Sequence, residues 1–329
     1  MTSVVHRREH RGWELIVLDT EQARVEVVPG KGGDVLSMRI KDPEVDVLWA
    51  SPWGLRQRGA AATPAASSAD TVLEWYPGGW QVMLPNGGDE VGAEGTTWSM
   101  HGEVWTTPFD ATEVTGGVEL TARLVRAPLE VTRRVVLEGA RLELTDHLRN
   151  VGRWSVEGVW GHHPAFAPGF AAGGRLTCGA SHVVVDDLRI TPHGDLAVGA
   201  RGVWPHAPGR DGTARDLREI PRVDGPGIER LAYLTGFTEG WAQIDSATLP
   251  LRARLGWDAE VFPHAWLWTE FHASPGFPWF GAVNVLAVEP CTGFPAQGRD
   301  AIARSTGLWR LEPGTEQSTT LTLDVTETT

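Results

Sequence analysis

Three stretches of this 329-residue chain set ionisable side chains among apolar and aromatic ones, where a charge is costly to keep. They are Trp98-Ser99-Met100-His101-Gly102-Glu103-Val104-Trp105, Val159-Trp160-Gly161-His162-His163-Pro164-Ala165-Phe166 and Val288-Glu289-Pro290-Cys291-Thr292-Gly293. Glu289 follows Val283, Val285 and Ala287 at alternate positions, so it shares their face if the segment is a strand. On a buried face its carboxylate must be paired, neutralised or serving a ligand; the other readings are a solvated face or a cap on the amides around Thr292-Gly293. Pro290 ends the ladder beside it, near a strand end, where sites form. His162 and His163 are neighbours, so their side chains leave a strand on opposite faces and at most one of them enters any one pocket. Pro164 holds the His163 backbone extended and removes the next N–H donor. His101 precedes Gly102, which lets backbone approach a ligand closely; the plainer role is a loop histidine satisfied by backbone.

A histidine and a glutamate brought together can run one kind of reaction without a cofactor. A histidinium gives a proton to one oxygen while a carboxylate takes one from a neighbouring hydroxyl. On a cyclic hemiacetal this opens the ring, and reversal after rotation about the C1–C2 bond closes it with the other anomeric configuration. The base works best with its pKa lifted by an apolar wall. Sixteen tryptophans against two tyrosines offer such a wall, since indole pairs a wide apolar face with one N–H. Trp80, Trp105, Trp279 in its Gly276-Phe277-Pro278 turn, and the alternating Trp266, Trp268 and Glu270 are candidates, with core packing as the competing role of each.

The elements that would carry these residues are strands. Ala23 to Val27 alternates into the turn Pro29-Gly30-Lys31-Gly32-Gly33 and Val35 to Ile40 leaves it; Leu129 to Leu137 turns at Gly139-Ala140 into Leu142, Leu144 and Leu148. Val118 to Leu124, Leu249 to Trp257, Val283 to Glu289 and Leu321 to Val325 continue the period of two. Alternation without crossover helices predicts an all-β protein, mostly antiparallel. Irregular loops are expected near 51–70, with Pro52 and Pro64, and near 191–227, with a helical turn at most over Gly212 to Ile220. The pattern resumes unchanged around both, so residues 1–329 read as a single domain.

Composition narrows the partners. A formal charge of -13, with Lys31 and Lys41 the only lysines, argues against nucleic acid. No apolar run is long enough to span a bilayer, and the charged opening Met1 to Gly12 does not read as a secretory signal, so the expected location is the cytoplasm. Cys178 and Cys291 form no CxxC pair and read as free buried thiols, with no metal or other cofactor expected.

Taken in order, Val25-Glu26-Val27-Val28-Pro29-Gly30-Lys31-Gly32-Gly33, Leu84-Pro85-Asn86-Gly87-Gly88, His101-Gly102, Gly161-His162-His163-Pro164-Ala165-Phe166, Val288-Glu289-Pro290-Cys291-Thr292-Gly293 and Leu311-Glu312-Pro313-Gly314 resemble the aldose 1-epimerase, or galactose mutarotase-like, superfamily. The resemblance implies a large antiparallel β-sandwich, the galactose mutarotase-like supersandwich, with a sugar or sugar acid on its concave face. It implies His163 as the acid on the ring oxygen, Glu289 as the base on the anomeric hydroxyl, His101 as a substrate-holding residue and Asn86 as a pocket neighbour. Three departures mark a divergent branch, one of them Glu103-Val104-Trp105 after His101 in place of the usual arginine-bearing sequence. Gly87 stands where members usually carry an arginine, and Arg230 to Phe237 lacks the acidic Asp-His segment. Two other readings stand beside an anomer-interconverting isomerase: a non-catalytic carbohydrate-binding or regulatory protein with this fold, and a cupin-like metal enzyme using several of the 11 histidines.

Overall fold

A computed structural model describes residues 2–61, 67–93, 95–188 and 192–328. Two antiparallel sheets dominate it. Five strands of the larger sheet build the site and are labelled here: β1 (Trp80–Met83), β2 (Gly161–Phe166), β3 (Ile228–Thr235), β4 (His264–Phe271) and β5 (Asn284–Cys291). They lie in the order β1-β2-β5-β4-β3 at the centre of a 12-stranded sheet. The hairpins Val4–His10 with Trp13–Asp19 and Ala23–Val28 with Asp34–Lys41 extend it on one side, His182–Val185 and Arg201–Val203 on the other. The second sheet has eight strands, among them Leu129–Glu138, Arg141–Asn150, Leu251–Trp257 and Glu316–Glu327.

The alternation seen in the sequence is what lets the sheets stack. Ile16, Leu18, Val25, Leu267, Leu286 and Val288 of the first sheet meet Leu129, Val131, Leu144, Leu255, Leu321 and Leu323 of the second in one buried cluster. Each such side chain contributes about 1.5–3 kcal/mol when fully buried. The turn at Gly139-Ala140 is a two-residue hairpin, closed by Glu138 opposite Arg141, with Gly139 at a φ of 58°.

One ionic group crosses this apolar layer. Arg133 and Asp146, on facing strands and both fully buried, pair through Nε–Oδ1 at 2.7 Å and Nη2–Oδ2 at 3.0 Å. Arg133 Nη1 also donates to the Gly32 carbonyl at 3.1 Å, tying the glycine turn to the second sheet. Burial pushes the Asp146 carboxyl up, but Arg133 and His162 together outweigh it and hold it below its ordinary value. His162 enters this layer from β2: its Nδ1 accepts the Trp80 indole N–H at 3.1 Å, so its proton sits on Nε2, 3.5 Å from Asp146 Oδ2.

The two irregular regions hold more order than the sequence suggests. A helix, Ser68–Trp75, begins inside the expected loop at 51–70 and buries Val72, while residues 62–66, with Pro64, lie outside the described residues. In the second region Thr191 is outside them as well. Gly212 to Ile220 is not helical: Ala214–Asp216 is a strand paired with His206–Pro208, because Gly209 and Gly212 turn the chain back on itself. Cys178 and Cys291 are free and buried. No helix among the described residues is long and apolar enough to cross a membrane.

Candidate active site

The outer face of the five central strands is the floor of a cavity of about 510 Å³, a size suited to a small molecule. Strand register decides which side chains reach it. His163 is paired with Gln81 of β1, Glu289 with Trp266 of β4, and Trp266 with Tyr233 of β3. Between β2 and β5 the rungs Gly161–Cys291 and Ala165–Ala287 share one register, and continuing it sets His163 directly opposite Glu289. No ladder pairing joins residues 162–164 to 288–290, where Pro164 and Pro290 carry no N–H to donate. A single row across the sheet therefore reads Gln81, His163, Glu289, Trp266.

His163 Nε2 lies 3.4 Å from Glu289 Oε1. On the other side of the ring the Tyr76 hydroxyl is 3.3 Å from Nδ1. His101 packs edge-on to His163, with ring centroids 5.6 Å apart, from a left-handed backbone at φ 60°. Gly102 after it, at φ 84°, leaves no room for a Cβ, which would fall 2.2 Å from the Leu84 carbonyl oxygen. Trp268 lies 6.0 Å from His163 and 6.0 Å from Trp279, which stacks on Trp53 at 5.4 Å. The wall over the pair is thus aromatic, closed by the helix Ser68–Trp75 and the segment Ser274 to Trp279.

Burial raises the Glu289 carboxyl well above its ordinary value, since among the described residues its one polar side-chain partner is His163. Burial lowers His163 to about 4, with its own backbone acting weakly the other way. His101 falls to about 3, by burial first and then by the charge of His163. Both directions favour the uncharged arrangement, with the proton between the two on Glu289 beside a neutral His163, over the histidinium and carboxylate that open the reaction. Desolvation disfavours both charges at once. The two arrangements differ only by a hop of that proton, so they carry the same total charge.

Not every candidate from the sequence reaches the cavity. His163, Glu289, His101, Trp268 and Trp279 line it. Trp80 points into the layer between the sheets, because Gln81 takes the cavity side of β1. Asn86 is fully buried and donates to the carbonyls of Asp89 and Ser99 at 2.8 and 3.0 Å, bracing the segment that carries His101. Trp105 does similar service, donating to the Gly102 carbonyl at 3.0 Å. Glu270 is spent on the amides of Ala273 and Ser274 at 2.8 and 2.9 Å, the capping role weighed above for Glu289. His162 and His163 diverge to opposite faces, and no three His, Cys, Asp or Glu side chains among the described residues converge as metal ligands.

Other lining residues went unnoticed. Gln81 interrupts the apolar run Trp80 to Met83 and could have been found by its period. Tyr76 is one of only two tyrosines in a tryptophan-rich chain. Asp186, at the end of the strand His182–Val185, accepts from Gln297 Nε2 at 2.9 Å and from the Tyr233 hydroxyl, holding the rim in place. At Gly87 a Cβ would meet Val159 Cγ1 at 2.8 Å, so a side chain there would have to displace Val159. No arginine or lysine is among the described lining residues.

No family model matches the chain, and no curated protein does. Solved structures do. A candidate aldose 1-epimerase from Klebsiella pneumoniae superposes with a TM-score of 0.72 at 15% identity, over 98% of this chain and 82% of that one. A galactose mutarotase-like protein from Clostridium acetobutylicum gives 0.69 at 14% identity, over 99% of both chains. A galactose mutarotase related enzyme from Lactobacillus acidophilus gives 0.61 at 15% identity, over 99% and 98%.

Proposed function

From the premise that this chain has the galactose mutarotase-like fold, we propose that it interconverts the anomers of an uncharged reducing sugar by acid–base catalysis between His163 and Glu289. The observation that carries this reading is the 3.4 Å approach of His163 Nε2 to Glu289 Oε1 on the floor of an aromatic-walled cavity. A sugar whose anomeric hydroxyl meets Glu289 and whose ring oxygen meets His163 draws the shared proton across to the histidine. The polar substrate stabilises the charged arrangement that the dry cavity disfavours. Glu289 then takes the hydroxyl proton while His163 protonates the ring oxygen, and the C1–O5 bond breaks to the open-chain aldehyde. Reversal on the other face of the carbonyl returns both protons and gives the second anomer. Trp268 and Trp279 offer flat apolar faces to the C–H side of the ring.

Asp89 and Asp186 on the lining favour an uncharged sugar over a sugar acid or phosphate. The test is anomer exchange followed by NMR in weak buffer over a panel of free aldoses, wild type against Glu289→Ala. Equal rates for the two across the panel would rule this role of Glu289 out for those sugars. The small, tightly packed Gly87 in place of a sugar-gripping arginine supports a second reading, a binder without turnover. Saturable calorimetric binding of a sugar whose anomers exchange no faster than in buffer would select it.

A further inference from the structure

Tyr76 is held rigidly and its hydroxyl has one polar partner among the described residues. The residue is 5% exposed, its ring packs against Trp49 at 5.7 Å and Trp279 at 6.5 Å, and its backbone N–H closes on the Leu73 carbonyl at the end of the helix. What remains is the phenol oxygen, 3.3 Å from His163 Nδ1, on the side of the imidazole away from Glu289.

The chemistry of that partner matters. A carboxylate or carbonyl at Nδ1 can only accept, and so fixes a proton there; a backbone N–H can only donate, and so forbids one. A phenol can do either. With Nε2 left bare to take the proton from Glu289, the phenol accepts from Nδ1–H both in the neutral ring and in the imidazolium. Burial first, then the charges of Glu289 and Asp34, hold the phenol well above its ordinary value, so it stays a hydroxyl while the histidine cycles. The other titratable groups facing the imidazole are His101 from its loop and Glu289 from β5.

We propose that Tyr76 is a positioning residue that keeps Nε2 as the reactive nitrogen of His163 and lets the ring change protonation state without losing its hydrogen bond at Nδ1. The kinetic part of this assignment rests on the anomer-exchange reading above; the tautomer part does not.

The test is Tyr76→Phe, which removes one oxygen and keeps the aromatic contacts. In histidine-labelled protein without sugar, ¹⁵N NMR should show wild-type His163 with Nδ1 protonated and Nε2 bare at neutral pH. The variant should show a mixture of the two tautomers, the signal being assigned with His163→Gln. With a turned-over sugar, kcat should fall about tenfold, as for one lost hydrogen bond, with KM unchanged. The pH limb reporting on His163 should move as well. A proton on Nε2 with Nδ1 bare in the neutral wild-type ring overturns the assignment, and needs no variant to be seen. So does an identical tautomer pattern in Tyr76→Phe, or a changed pattern with undiminished kcat. A wild type that shifts tautomer on mutation but exchanges no anomers breaks the reaction proposal and leaves the tautomer assignment standing.

Discussion

His162 and His163 are adjacent in the chain, both buried, both lowered to about 4, and they face opposite layers. Between the sheets, Trp80 donates to His162 Nδ1 and Arg133 grips Asp146 with two bonds, while His162 Nε2 lies buried 3.5 Å from Asp146 without a hydrogen bond. In the cavity, His163 and Glu289 face each other at 3.4 Å. The Arg133–Asp146 charge between the sheets is consumed internally; the proton between His163 and Glu289 is open to whatever enters the cavity. Buried polar groups with their bonding used up add order, and the same groups with bonding to spare, beside a space, are equipped to act.

That contrast can be broken most forcefully on the cavity side. Glu289→Gln should slow anomer exchange by about 10²–10⁴-fold, while thermal unfolding shifts upward or stays put, because an amide is neutral without taking up a proton on folding at neutral pH. A variant that loses stability and keeps its rate would invert the comparison. Between the sheets, Asp146→Ala strands Arg133 without its counter-charge and should cost about 3–5 kcal/mol in urea unfolding; wild-type stability would show the layer to be less tightly coupled than drawn. Acid is the next lever. His162 binds its proton at about 4 folded and 6.5 unfolded, so unfolding takes up a proton between those values and stability falls as pH drops through that window, by about 3 kcal/mol at its lower end. Glu289 acts oppositely, its raised value eroding stability as pH rises above 4.5. His162→Gln should flatten the acid slope in urea titrations at pH 4.5 and 6.5, and an unaltered slope would count against a neutral His162. The smallest effect belongs to Trp80→Phe, which removes the N–H at Nδ1 of His162 and should cost about 1 kcal/mol with kcat unchanged.

Much of this contrast could be read before any coordinates. The period of two fixes that His162 and His163 part company and that Glu289 lies on the face of Val285 and Ala287, and both hold in the sheet. The hairpin at Gly139-Ala140 was equally plain, since only a tight turn fits between two alternating runs. Tryptophan was the poor guide. An indole suits either face of a strand, so nothing local tells Trp80, which packs between the sheets, from Trp268, which lines the cavity; only register with neighbouring strands does. Asn86 and Glu270 misled for a related reason, since short polar groups near turns are as apt to satisfy backbone as ligand. The protonation of the pair was illegible because desolvation belongs to the assembled wall, not to either residue.

The missing rungs beside Pro164 and Pro290 have a further consequence. The separation of the two reacting groups is set by the pairings that flank them, Gly161 with Cys291 and Ala165 with Ala287, while much of what would grasp the rest of a sugar hangs from surface segments such as Ser274 to Trp279 and the stretch around Asp186. Those segments can be rebuilt over generations without altering the distance a proton must travel. If the proposed reaction holds, choice of sugar and proton transfer rest on different parts of the chain, and either can change without the other.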